Sequence, residues 1–376
     1  MPRVLIVTGE ASGDLHGASL AKALRRLRPD IELVGMGGSH MRAAGLEMLH
    51  GIEGHDVVGM IGPAQLRKVL RTYFALARFL RNTELDAVVF IDYPGFNLRM
   101  ARIAARAGHR VIYYIAPQIW AWRPGRIRLI SRVVDRVLVI FPFEEALYRA
   151  AGVSCDFVGH PLLDTVAPAY EKAELRQRFG LDRPGPIVGL LPGSRESEVR
   201  ALLPIMLGAA ERLMRDHPDI HFVLAQPSSV SDSLLEACLD GRRIPVRVVK
   251  DQANEAIAAC DLLLVASGTA TLQAAVIGTP MVITYRVSWL TYWIARLVIR
   301  IGWIGLVNIV AGRSIVPEVL QYEATPERLS AEVQRLLTNP EAYQAMVAEL
   351  RAVRASLGAP GASSRAATHV LAECGG

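Results

Sequence analysis

Short β-branched runs alternate with amphipathic stretches along the first 160 or so residues. The runs RVLIVTG, IELVGMG, AVVFID, RVIYYI, RVLVIF and CDFVG are almost continuously apolar, as in strands covered on both faces. Between them lie segments such as HGASLAKALRRLR and NLRMARIAARAG, whose apolar positions recur at helical spacing. This alternation predicts a parallel sheet with helices on both faces. From Pro161 to Glu174 the pattern gives way to a polar, Pro-containing linker. It restarts with PIVGLLPG, HFVLAQ, VRVVKD, DLLLVAS and MVITYRV. The chain therefore reads as two α/β domains, residues 1–165 and 166–345. Pro326 to Val353 reads as helical, and a C-terminal helical stretch, 346–376, is expected to pack back on the first domain or on a partner chain, a homodimer with swapped C-terminal segments being one form. Two such domains in tandem imply a cleft lined by the carboxyl ends of both sets of strands.

Composition narrows the class. The 376 residues are 51% hydrophobic, enough for two large cores. The net charge of +6 comes from Arg spread along helices, not clustered with stacking aromatics, which argues against nucleic acid. It suits an anionic membrane surface or phosphorylated substrates. The four cysteines are far apart and form no C-x-x-C pair, which argues against zinc and against a disulfide framework. The opening MPRVLIVTGEASGD runs straight into a strand without the layout of a secretory leader, and no stretch reaches about 18 uncharged apolar residues. The expected location is the cytoplasm.

Five turns carry candidate chemistry. TGEASGDLHG spaces Gly9, Gly13 and Gly17 four apart, which is not the dinucleotide pattern, and the second strand ends in GMGG where a ribose-binding acid would stand. Its Glu10, Ser12, Asp14 and His16 suit sugar hydroxyls; the alternative is a turn that merely needs small residues. In FIDYPGFNLRMA, Asp92 follows a buried strand as either a general base or a carboxylate that ties the turn. YYIAPQIWAWRPGRI presents Gln118, Trp120, Trp122, Arg123 and Arg126, fit for a sugar face or a domain interface. In LLPGSRESEV, Ser194 and Arg195 stand at a helix start and make an anion site. The Walker pattern is missing and the chain has no D-x-D pair, so no diphosphate-clamping metal is expected. In ASGTATLQAAVIGTP, Ser267, Gly268, Thr269 and Thr271 can face a diphosphate, with Gln273 one turn on, toward a ribose. NIVAGRSIVPEVLQ adds Asn308 and Arg313.

Two segments have the amphipathic, Arg-flanked character of interfacial helices, or of ordinary core helices. QLRKVLRTYFALARFLR carries Val69, Tyr73, Leu76 and Leu80 along one side. YRVSWLTYWIARLVIRIGWIGLVNIV holds Trp289, Tyr292, Trp293 and Trp303 beside Arg286, Arg296 and Arg300.

The order of these blocks, from TGEASGD through IDYPGFN, APQIWAWRPGR, FPFE, FVGHPLLD, LPGSR and ASGTATLQAA to NIVAGR, resembles the lipid-A-disaccharide synthases over nearly the whole chain. The resemblance implies a GT-B fold, two Rossmann-like domains whose parallel sheets face each other across a cleft. It implies UDP-2,3-diacylglucosamine as donor, 2,3-diacylglucosamine 1-phosphate as acceptor, and a β-1,6 tetraacyl disaccharide 1-phosphate plus UDP as products. No metal or cofactor is implied, and the site of action is the cytoplasmic face of the inner membrane, reached peripherally. The family's important polar residues fall on Glu10, Ser12, Asp92, Arg195 and Asn308. Asp92 is the expected base with Glu10 as rival, while Arg195 and the helix after Ser267 hold the departing diphosphate. One position departs: the family usually carries Glu where this chain has Gln273. The runners-up are a UDP-GlcNAc 2-epimerase, the peptidoglycan GlcNAc transferase, and a non-catalytic glycolipid carrier.

Overall fold

The computed structural model describes residues 1–51, 63–121, 124–242, 244–287 and 302–375. Trp122, Arg123, Trp289, Tyr292, Trp293, Arg296 and Arg300 lie outside them. The chain divides into two compact units, Met1–Asp164 with Leu357–Gly376, and Thr165–Ser356.

Unit 1 runs β1 (Arg3–Val7), α1 (Ala11–Leu27), β2 (Glu32–Gly37), α2 (Ser39–Ala43), β3 (Glu47–Gly51), α3 (Pro63–Asn82), β4 (Ala87–Ile91), α4 (Pro94–Arg106), β5 (Arg110–Tyr114), α5 (Ile127–Val133), β6 (Arg136–Val139), α6 (Pro142–Ala150) and β7 (Cys155–Phe157). The seven strands are parallel, in the order β3-β2-β1-β4-β5-β6-β7. Every residue of β4 is buried, as a central parallel strand requires.

After α7 (Leu162–Thr165), unit 2 runs α8 (Lys172–Arg178), β8 (Ile187–Leu191), α9 (Glu196–Asp216), β9 (His221–Gln226), α10 (Asp232–Leu239), β10 (Val246–Lys250), α11 (Ala253–Ala259), β11 (Leu262–Ala266), α12 (Thr269–Ile277), β12 (Met281–Tyr285), α13 (Leu306–Ala311), β13 (Glu318–Leu320), α14 (Pro326–Thr338) and α15 (Pro340–Ser356). Its six parallel strands follow the order β10-β9-β8-β11-β12-β13. In each unit the strand order reverses beside the first strand, at β1/β4 and at β8/β11. Open α/β sheets bind ligands at the carboxyl ends of such a switch point.

The helical tail differs from the sequence reading. Pro340 starts a new helix, so the stretch from Pro326 is two helices. The second, α15, packs on α12 and α13 and belongs to unit 2; residues 346–356 do not join the tail. Only α16 (Ala362–Cys374) returns to unit 1, where it lies against α1, β4 and β5. Arg136 ties it down, bridging Glu373 on α16 at 2.6 Å and Asp156.

Helix α3 decides between the two readings its sequence left open. Leu76 and Leu80 are fully buried in the unit 1 core, and Tyr73 is half-buried against Phe96. The apolar residues that face outward are Leu70 and Phe74, 45% and 66% exposed. The stripe is the core face, the second of the two readings, and the exposed pair is offset from it by one residue. Among the described residues no helix is long and apolar enough to cross a membrane.

Candidate active site

In unit 1 the switch point brings the turn after β1 against the turn after β4. A methyl group added at Gly9 would stand 2.2 Å from the Tyr93 ring; one at Gly13 would meet Thr8 Oγ1, and one at Gly17 the Met41 sulfur at 2.6 Å. The three glycines are therefore small because protein packs on them, which is the alternative reading of the motif. Glu10 precedes α1 in extended conformation and lies close enough to Tyr93 to push the phenol's pKa up, after burial. Ser12 is exposed in the first turn of α1.

Asp92 and Tyr93 both adopt the left-handed conformation, with φ of 45° and 47°. Non-glycine residues are held there only when their surroundings over-determine them. The Asp92 carbonyl accepts from Tyr113 Oη at 2.6 Å and from Asn97 Nδ2 at 2.7 Å, and its amide donates to Tyr114 O. This clamp of main-chain bonds fixes the residue without using its carboxylate. Burial raises the carboxyl pKa above its usual value, partly offset by the Tyr93 amide.

Asp14 has its carboxylate engaged within the fold. It is buried and accepts from the amides of Gly38, His40 and Met41 at 2.7, 2.9 and 3.1 Å, holding the start of α2. His16 on the same helix is kept neutral by burial, its pKa pushed down to about 4. Gln118 is exposed in the loop after β5.

In unit 2, the two switch-point turns differ in what they leave open. Glu198 Oε2 accepts from the amides of Ser194 and Arg195 at 3.1 and 3.3 Å, and Glu198 Oε1 pairs with the Arg195 guanidinium at 3.3 Å. The amides expected to hold an anion are thus engaged at the start of α9. Arg195 itself is 55% exposed and reaches outward. Ahead of α12, Gly268 has φ 151° with open space around it, and no side chain caps the helix. The Thr271 amide turns back to Gly268 O at 3.1 Å, and the amides of Thr269 and Ala270 ahead of it remain for an oxygen-rich ligand. Ser267 Oγ donates to Ile304 O at 2.7 Å and Thr271 Oγ1 to Gly268 O, so both hydroxyls shape the turn. Thr269 is exposed, and the Gln273 Nε2 donates to Asn254 Oδ1 at 3.2 Å.

Asn308 is fully buried and saturated. Its Nδ2 donates to Val316 O and Glu318 Oε1, and its Oδ1 accepts from the amides of Ile315 and Val316. Glu318 also accepts from the amides of Ile304 and Gly305, the former beside Ser267. Asn308 therefore shapes the loop under the turn after β11. Arg313 is exposed and pairs with Glu349, and its amide donates to Asn308 O at 3.3 Å. Sequence reasoning missed Tyr93, Tyr113, Asn254 and Glu198. Only Glu198 had a signal, an acid three residues after a helix start.

A family model described as lipid-A-disaccharide synthetase matches residues 4–369. A lipid-A-disaccharide synthase of Geobacter metallireducens is 45% identical over 98% of this chain and 96% of its own length. One of Anaeromyxobacter dehalogenans is 46% identical over 98% and 97%. Among solved structures, UDP-GlcNAc 2-epimerase from Neisseria meningitidis bound to UDP-GlcNAc superposes with a TM-score of 0.67 at 13% identity, covering 98% of this chain and all of that one. MurG of Acinetobacter baumannii gives 0.58 at 15%, covering 99% of this chain and all of its own. Those two share the GT-B fold and are too distant to say more. The full-length relatives do say more: the chain belongs to the lipid-A-disaccharide synthase family of transferases.

Proposed function

We propose that the protein transfers a diacylglucosamine from UDP-2,3-diacylglucosamine to the 6-hydroxyl of 2,3-diacylglucosamine 1-phosphate, giving the β-1,6 disaccharide and UDP. The observation that carries this reading is Asp92: a carboxylate at the switch point of unit 1, held by its main chain in a left-handed conformation, with its pKa raised by burial against the opposing pull of the Tyr93 amide. A base is best placed when its pKa approaches the working pH. Asp92 takes the acceptor proton as the hydroxyl attacks the anomeric carbon opposite the departing UDP, which inverts that centre. Glu10 is the rival base. The open start of α12 receives the diphosphate, Arg195 adds a positive charge to it, and Gln273 with Asn254 meets the ribose. No metal is part of this scheme.

The test is a two-substrate assay in detergent with EDTA, disaccharide being followed by mass spectrometry. Asp92→Asn is expected to lower kcat by about a hundredfold or more with UDP affinity intact. Near-normal turnover by a folded D92N protein passes the role to Glu10, tested by Glu10→Gln.

Leu70 and Phe74, flanked by exposed Arg67, Arg71 and Arg78 on α3, support peripheral binding to an anionic bilayer surface. Leu70→Glu with Phe74→Glu should abolish cosedimentation with phosphatidylglycerol vesicles at low salt. Undiminished sedimentation places the membrane contact elsewhere.

A further inference from the structure

The FPFE motif and the loop of residues 115–121 meet in unit 1. The loop leaves β5 at Ile115, whose φ of 57° is the left-handed conformation that a β-branched residue rarely adopts. Helix α6 grips the loop at two points. Tyr148 Oη donates to Pro117 O at 2.9 Å, and Trp120 Nε1 donates to Glu144 Oε1 at 2.9 Å. Glu144 and Tyr148 are one helical turn apart, so one face of α6 holds both ends of the loop. The Trp120 indole also stands edge-on to Phe143 and Phe141.

Glu144 is 1% exposed. Its other oxygen accepts from the Phe141 amide at 3.3 Å, closing the first turn of α6. A helix cap does not require burial, and burying a carboxylate is unfavourable unless its bonds are needed. The loop it holds joins the base. Ile91 pairs with Tyr114 in the sheet, and the Asp92 amide donates to Tyr114 O, one residue before Ile115. Loop 115–121 therefore rises beside Asp92 and presents the exposed Gln118.

We propose that Glu144 is a positioning residue that, through Trp120 and in concert with Tyr148, fixes loop 115–121 as the wall of the acceptor sugar's subsite. This rests on the proposed transfer reaction, with the acceptor bound to unit 1. Glu144 and Tyr148 touch no substrate themselves. Losing either tether loosens the loop, which weakens acceptor binding and leaves the donor site in unit 2 untouched.

The test measures kcat and separate KM values for donor and acceptor in the full chain. Tyr148→Phe removes one hydroxyl from the core and should fold normally; it is expected to raise acceptor KM about threefold. Glu144→Leu removes the second tether and should raise it about tenfold, in line with the loss of a buried hydrogen bond that leaves its donor unpaired. Glu144→Gln keeps an acceptor for the indole N–H and should restore most of the loss. Donor KM should stay within twofold in all three. If acceptor KM is unchanged in both Y148F and E144L, or if donor and acceptor KM rise together, the proposal is overturned. A wild type that makes no disaccharide fails the functional reading instead and takes this proposal with it.

Discussion

Gln273 on α12 stands where the resemblance implies a Glu, and the structure shows what the amide does. Its Nε2 donates to Asn254 Oδ1, which leaves Oε1 to accept from a ribose hydroxyl. A carboxylate there would accept more strongly but has no proton to give Asn254, whose Nδ2 also reaches Thr165 O at 3.4 Å. Gln273→Glu is therefore expected to tighten UDP binding by at most about tenfold near neutral pH. Calorimetry checks it, and an unchanged Kd would mean that residue 273 does not meet the ribose. The gain over the native protein, whose Gln273 does not titrate, should fade as pH falls through the ordinary carboxylate range, near 4.3. Asp92 predicts its own pH dependence. It must be ionised to take a proton, and its pKa is raised, so the acid limb of kcat/KM should lie above the ordinary aspartate value of 3.8. A limb at or below 3.8 would remove Asp92 as the group responsible.

At the level of elements, the tightest constraint is the contact between the turns after β1 and β4. Gly9→Ala would place a methyl 2.2 Å from the Tyr93 ring, and the ring, stacked on Phe96 at 5.8 Å, must yield. The expected cost is about 1–3 kcal/mol of stability. Because Asp92 adjoins Tyr93, kcat should also fall in the fraction that folds; a thermal melt with an assay on the same sample checks both. That contact was not legible in the sequence, since nothing pairs a glycine at 9 with a tyrosine at 93. The central strands were legible because burial on both faces writes them as unbroken apolar runs. β3 and β13 were not: EMLHG is half polar and EVL is three residues long. The candidate site was legible as turns rather than as roles. Asp14 and Asn308 stand in polar motifs, yet their bonds go to backbone groups and, for Asn308, to Glu318 as well, and composition cannot reveal where a side chain's hydrogen bonds end. On α3 the periodicity was correct, but the outward apolar pair sits one position beyond the core stripe.

The chain crosses between its units twice, and both crossings are anchored in unit 1. The His160 amide donates to Leu357 O at 3.0 Å, and the Gly361 amide to Asp164 at 2.5 Å. Arg365 donates to the carbonyls of Val158, Ala359 and Pro360, gathering the two strands of the crossing. This junction contains a titratable weakness. His160 is buried, its ring against Phe141, and its Nδ1 accepts from the Leu162 amide. Burial and then nearby His16 push its pKa down to about 4 from 6.5. A histidine with a depressed folded pKa stabilises the fold fully above its unfolded value. That contribution is lost as pH falls from 6.5 toward 4, by about 3 kcal/mol for His160 alone. Glu144 works in the opposite sense, its pKa pushed up by burial from 4.5 to about 7. Its contribution is most favourable below 4.5 and declines as pH rises to 7. Between 4.5 and 6.5 the two trends oppose, but His16 adds to His160, so acid should win. The melting temperature is expected to fall steadily below pH 6.5. His160→Gln, which keeps an acceptor for the Leu162 amide, should flatten that fall, and Glu144→Gln should raise the melting temperature at pH 8 relative to pH 5. An acid limb as steep in H160Q as in the native protein would place the weakness outside the crossing.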